Sequence, residues 1–146
     1  MIKANKPVFF GSDVGQFSNS PMGVMDTDLY DYTLGFNLSL EMTKAERIHV
    51  GSSEMTHAMV FTGVDLNDEG KPLKWRVENS WGSGAGNGGY FLMTDKWFDE
   101  YVYQIVCNFA DAPKEMVDIY KAGNPVVLKA WDPMVLSPFL YSTDFY

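Results

Sequence analysis

Two stretches constrain this chain more than any others: Thr56-His57-Ala58-Met59-Val60-Phe61-Thr62-Gly63-Val64 and Trp75-Arg76-Val77-Glu78-Asn79-Ser80-Trp81-Gly82. Each is rich in β-branched and aromatic residues, which suit a pleated surface, and Asn67-Asp68-Glu69-Gly70 between them has turn chemistry. Together they read as a hairpin. His57 opens the first strand and Asn79 closes the second, so the two fall at one end of the unit. A histidine held by a side-chain amide and sheltered by an indole, here Trp81, is the base-and-orienter part of a nucleophilic triad. The amide fixes the ring without adding charge. The imidazole is then free to take a proton and to pair with a thiolate, which depresses the thiol pKa. The bland readings are a hydrogen-bonded histidine at a strand end, a turn-forming asparagine before glycines, and a tryptophan that anchors a core.

A base needs a nucleophile. Cys107 is the one thiol. Tyr103, Ile105, Cys107 and Phe109 alternate onto one face of an expected strand, and an apolar neighbourhood raises a thiol pKa and makes it inert. Cys107 is therefore expected to be structural. Ser12, Ser52, Ser53 and Ser80 lie in no Gly-x-Ser-x-Gly elbow. No nucleophile is expected within this chain. Gly82 to Gly89 is glycine-rich but lacks Gly-Lys-Ser/Thr and a following helix, so it is no phosphate loop. Two histidines and one cysteine make no familiar metal spacing, and neither metal nor cofactor is expected. His49 reads as a strand-edge residue. The carboxylates Asp26, Asp28, Asp31, Asp65, Asp68 and Glu69 read as solvated surface.

A formal charge of −8 without any Lys/Arg run opposes binding to nucleic acid or anionic lipid. The start, Met-Ile-Lys-Ala-Asn-Lys-Pro, has no signal-peptide apolar core, and no apolar run approaches the ~20 residues of a membrane span. A cytoplasmic protein with no membrane association is expected.

Along the chain, Lys6 to Ser12 reads as a buried strand. Met22, Met25 and Leu29 suit a short helical stripe. Thr33 to Leu40 alternates partly like a strand, weakened by Gly35. Thr43-Lys-Ala-Glu46 has capping-box spacing, but Ile48-His49-Val50 limits the helix to one turn. Gly89 to Met93 is a third strand after the hairpin. Thr94 or Asp95 caps a short helix through Trp97, Phe98 and Tyr101, which yields to a strand at Val102. A helix follows Pro113 and stops at Gly123. Pro125-Val126-Val127-Leu128 reads as a last strand. Residues 1–134 are taken as one domain and 135–146 as a carboxy-terminal tail.

His-Ala-Met-Val, then Trp-Arg-Val-Glu-Asn-Ser-Trp-Gly and Gly88-Gly89-Tyr90, resemble the histidine and asparagine motifs of papain-like cysteine peptidases. Thr94-Asp95-Lys96-Trp97-Phe98-Asp99-Glu100-Tyr101-Val102-Tyr103 and Ala130-Trp131-Asp132-Pro133-Met134 resemble the bleomycin hydrolase (aminopeptidase C) branch. The resemblance covers only the carboxy-terminal part of those enzymes. It implies an α+β fold: the β-rich half of a papain-like domain, an antiparallel, partly closed sheet with short helices. It also implies a thiol-dependent aminopeptidase acting on peptides and amides, with His57 as base, Asn79 as orienter and Trp81 as shield. The catalytic cysteine would belong to a missing helical half, and the complete enzyme would be a homo-oligomer, a hexameric ring. Alone, the chain would be inactive. The alternative is a non-catalytic remnant or interaction module that keeps the sheet without a nucleophile.

Overall fold

The computed structural model of the chain describes residues 1–129 and 131–132. After a 3-10 turn at Ile2–Ala4 come β1 (Val8–Ser12), β2 (Ser18–Asn19), β3 (Val24–Met25), α1 (Tyr32–Phe36) and α2 (Lys44–His49). Then follow β4 (His57–Leu66), β5 (Pro72–Glu78), β6 (Tyr90–Thr94), α3 (Asp95–Tyr101), β7 (Val102–Val106) and α4 (Lys114–Ala122). The strands form one curled sheet, a half-barrel, in the order β2-β3-β6-β5-β4-β1-β7. With the few short helices around it, the fold is α+β.

The expected hairpin is at its centre. β4 and β5 pair antiparallel, with Val60 opposite Glu78 and Phe61 opposite Val77. The turn forms because Asn67 Oδ1 accepts from the Glu69 and Lys71 N–H groups, at 3.0 and 2.9 Å. Along β4 the side chains of Met59 and Phe61 point into the core, two residues apart as the pleat requires. Phe61 stacks on Phe10 of β1, with ring centroids 3.8 Å apart and planes 15° from parallel. Val77, Phe91 and Met93 of the neighbouring strands complete this face. Fully burying one such side chain is worth about 1.5–3 kcal/mol, so this layer dominates the stability of the sheet.

Helix α3 starts where expected, with the Thr94 hydroxyl accepting from the Trp97 N–H. Trp97 is fully buried, and its indole N–H donates to the Gln16 carbonyl at 2.7 Å. The β-branched Val102 ends the helix and starts β7, which completes the sheet beside β1. Helix α4 has Pro113 as its N-cap and Gly123 in the left-handed region at its end.

Several expectations are corrected. The sheet is mixed, because β3 runs parallel to β6 while every other pairing is antiparallel. The region of Met22 and Met25 is a turn and a two-residue strand, not a helix. Gly23 has φ +66° there, which breaks a helix, and Met25 is drawn fully into the core. The stretch from Thr33 begins in α1 rather than in a strand. Asp31 caps that helix by accepting from the Leu34 N–H at 2.8 Å, and Asn37, in the left-handed region, closes it. The Thr43–Glu46 capping box is fully formed, but α2 runs on through Ile48 and His49. His49 is therefore a helix-end residue and not a strand edge; the satisfied cap outweighs β propensity. Pro125 to Leu128 has no regular structure, and Val126 and Val127 are exposed. Among the described residues no strand pairs with them. The tail at 135–146, with Ala130, Pro133 and Met134 of the Trp-Asp-Pro motif, lies outside the described residues. Among the described residues, no helix is long and apolar enough to cross a membrane.

Candidate active site

His57 is the first residue of β4 and sits opposite Ser12, the last residue of β1. Asn79 follows β5 directly, and the antiparallel register brings both to the same sheet end. His57 Nε2 lies 2.9 Å from Asn79 Oδ1. The same Oδ1 accepts the Ser80 N–H at 2.7 Å, and the Asn79 N–H donates to the Gly89 carbonyl at 3.0 Å. With the amide oxygen held in this way, the ring must donate from Nε2. Nδ1 is then the basic nitrogen, and it makes no hydrogen bond among the described residues.

Trp81 covers the pair. Its ring stacks against the imidazole at a centroid distance of 4.9 Å and 29° between planes. Its position is fixed by an edge contact to Phe91, with centroids 5.8 Å apart at 79°. Asn79 is buried at 8% exposure although it carries two polar atoms, so its bond to the ring is sheltered from water. The indole itself is 45% exposed and presents a flat apolar surface beside the base.

The glycine-rich loop sets this geometry. Gly86 and Gly23 pack backbone to backbone: a Cβ on Gly23 would lie 2.7 Å from Gly86 Cα and 2.9 Å from the Tyr90 carbonyl oxygen. The Gly86 N–H donates to Ser20 O at 3.0 Å, and the Leu92 N–H donates to Gly23 O at 2.7 Å. The loop that carries Asn79, Ser80 and Trp81 is thus clamped to the turn between β2 and β3.

Cys107 departs from expectation. It is exposed, and β7 ends one residue before it. Ile105 and Phe109 are exposed too: β7 is an edge strand, and among the described residues no further strand pairs beyond it. In the β1–β7 register Val106 pairs with Phe9, whereas Ser12, the partner of His57, pairs with Val102. At ~3.3 Å per residue, Cys107 lies roughly 10 Å or more along the sheet from the His57 end. His49 belongs to α2 and takes no part in the His57–Asn79 hydrogen bond. Among the described residues no group of three or more His, Cys, Asp or Glu side chains could hold a metal. A cavity of about 660 Å³ lies between α2, α3 and the 27–41 segment, and neither His57 nor Asn79 lines it.

Sequence reasoning singled out neither Asp13 nor Met55, and it considered Ser53 only as a nucleophile. All three are buried. Nothing local in the sequence signals them, since Asp13 meets Ser53 across 40 residues of chain. Beyond them, burial holds the Tyr103 hydroxyl above the usual tyrosine range, with Ser53's hydrogen bond opposing and Asp13 adding.

Comparison with known proteins agrees with this architecture. The family described as "Peptidase C1-like family" matches residues 1–135. Aminopeptidase C of Streptococcus thermophilus is 48% identical over 133 residues, covering 91% of this chain and 30% of that protein. Human bleomycin hydrolase is 49% identical over 136 residues, again covering 91% of this chain and 30% of the relative. The crystal structure of PepW from Lactobacillus rhamnosis superposes with a TM-score of 0.85 at 53% identity, covering 90% of this chain and 30% of that one. The chain thus spans 30% of the length of each of these relatives.

Proposed function

The chain belongs to the Peptidase C1-like family, and from that premise we propose that it is the base-bearing part of a cysteine aminopeptidase of the bleomycin hydrolase type. One observation supports this most: the 2.9 Å bond between His57 Nε2 and Asn79 Oδ1 under the stacked Trp81. It leaves Nδ1 as a basic nitrogen in a fixed direction. In the proposed reaction a cysteine outside this chain gives its thiol proton to Nδ1, making a thiolate–imidazolium pair. The thiolate attacks the carbonyl of a peptide or amide substrate. The imidazolium then hands the proton to the leaving amine, and a thioester remains. Nδ1 next takes a proton from water as its oxygen attacks the thioester, which releases the acid and regenerates the thiol. Asn79 keeps the ring in the one tautomer that can do this, and Trp81 keeps their bond dry.

Cys107 is not the nucleophile in this reading, because it lies at the far end of the sheet. The chain by itself is therefore inactive, and its partner is a helical part bearing the cysteine. The resemblance extends the proposal to a cytoplasmic, hexameric complete enzyme.

Complementation tests the reading. The chain is co-expressed with a helical part carrying the cysteine, and the paired complex is assayed on aminoacyl fluorogenic substrates. Activity is expected to appear, and His57→Ala to lower it ~10²–10⁴-fold, the usual contribution of a general base. Asn79→Ala and Trp81→Ala should lose less, in the same direction. A stable paired complex that keeps full activity in His57→Ala would remove the catalytic assignment and leave the interaction-module reading.

A further inference from the structure

We propose that Asp13 is a positioning residue for His57, acting through the strap of residues 53–56. The proposal rests on His57 being the base, and it concerns what aims that base.

The strap leads directly into His57, so wherever it is pinned the imidazole follows. Three fasteners pin it. The first is the Asp13 carboxyl, only 5% exposed, whose Oδ2 accepts the Ser53 hydroxyl at 2.8 Å and the Glu54 N–H at 3.3 Å. Its Oδ1 accepts the Thr56 hydroxyl at 3.4 Å. The second is the Thr56 N–H, which donates to the Ser12 carbonyl at 3.0 Å. The third is Met55, buried over Gly11, where an added Cβ would lie 2.1 Å from its sulfur. Gly11, Ser12 and Asp13 are consecutive, so one short piece of chain holds all of 53–56.

That piece is itself anchored. The Asp13 N–H donates to the Tyr101 carbonyl at 3.0 Å, at the end of α3. The Ser53 and Tyr103 hydroxyls are 2.6 Å apart. Since Ser53 gives its proton to Asp13, Tyr103 must donate to Ser53. A relay of oriented groups then runs from β7 through Ser53 to the carboxyl. Burying a carboxyl is unfavourable unless its oxygens are satisfied, and replacing it by an apolar side chain often leaves stability unchanged. What an apolar side chain would lack is direction. Asp13 sits beside Ser12, the cross-strand partner of His57, so its direction is transmitted to the ring over one residue on each side. A shift of ~1 Å at a catalytic group is enough to lower a rate ~10²-fold, which gives such a device its value.

The test uses ring nitrogen spectra of the 146-residue chain labelled with ¹⁵N-histidine. The chain has two histidines, so His49, which lies on α2 outside the strap, serves as the internal reference. In the unaltered chain neutral His57 should carry its proton on Nε2. In Asp13→Asn, with the sheet amides unchanged, His57 should divide between both tautomers, and its Nε2 proton should exchange with water roughly tenfold faster or more. Ser53→Ala, which removes one hydroxyl and keeps the carboxyl, should move both readouts in the same direction and decides the matter should Asp13→Asn not fold. His49 should not respond to either change. A folded Asp13→Asn or Ser53→Ala chain with unaltered tautomer and exchange rate would overturn the role of Asp13 while leaving the His57–Asn79 pair intact. An unaltered chain without the Nε2 tautomer would overturn both.

Discussion

Gly23→Ala should be among the most damaging single-methyl substitutions in this chain, and the reason can be separated into two parts. Gly23 has φ +66°, in the left-handed region, where a Cβ costs about 1–2 kcal/mol. The second part is steric. The new Cβ would stand 2.7 Å from Gly86 Cα and 2.9 Å from the Tyr90 oxygen, both backbone atoms that cannot rotate away. The Ser20–Gly86 and Gly23–Leu92 hydrogen bonds lie across this contact and would stretch as it opened. Together the two parts should destabilise the fold by about 3 kcal/mol or more, at the high end for point substitutions. Gly70→Ala is the control. It has φ +80° in the hairpin turn, but nothing lies within 4 Å of its Cβ, so only the dihedral cost applies. Urea unfolding of both variants, followed by tryptophan emission, gives the difference. Gly23→Ala should exceed Gly70→Ala by ~1 kcal/mol or more. Equal losses would refute the claim that close backbone approach clamps the site loop.

Two other predictions concern pH and solubility. Burial raises the Tyr103 pKa, so stability from its neutral form is full below about pH 10 and is lost as pH rises through the folded value. Tyr103→Phe should lessen the alkaline loss that sets in above about pH 10 in urea titrations, and an unchanged loss would contradict this. Leu34, Phe36, Val126, Val127 and Trp131 are all at least 70% exposed, so the chain should self-associate and bind apolar dyes. A dye-silent monomer in sedimentation at tens of micromolar would oppose the half-domain reading.

Strong local signals made much of this legible in the sequence. The β4–β5 hairpin carried both its turn residues and its alternation, and the Thr94 cap with Val102 marked where α3 gives way to β7. The pairing of His57 with Asn79 followed from the hairpin alone. Where periodicity had too few residues to show, reading failed. Ser18–Asn19 and Val24–Met25 are two-residue strands with no pattern of their own, placed by Gly23 and by β6. Asp31 and Asn37 decided α1 against the alternation of Thr33 to Leu40. The burial expected for Cys107 was wrong because alternation says which side a residue faces, not whether anything covers that side. Asp13 was invisible because its partners are remote in the chain.

The locality of the His57–Asn79 pair also bears on the order in which the molecule assembles. The two residues are 22 positions apart, joined through a single tight turn at Asn67 to Lys71. A hairpin of this kind closes in about 1–10 μs, and the entropy of so short a loop is small. The β3–β6 pairing, which joins Val24 to Leu92, must close a far longer loop. On a ribosome adding ~5–20 residues per second, Asn79 emerges within seconds of His57. The base therefore acquires its orienter as a nascent, local event. The distant clamp at Gly23 and Gly86 closes a much longer loop, and it is this contact that fixes the final geometry of the pair.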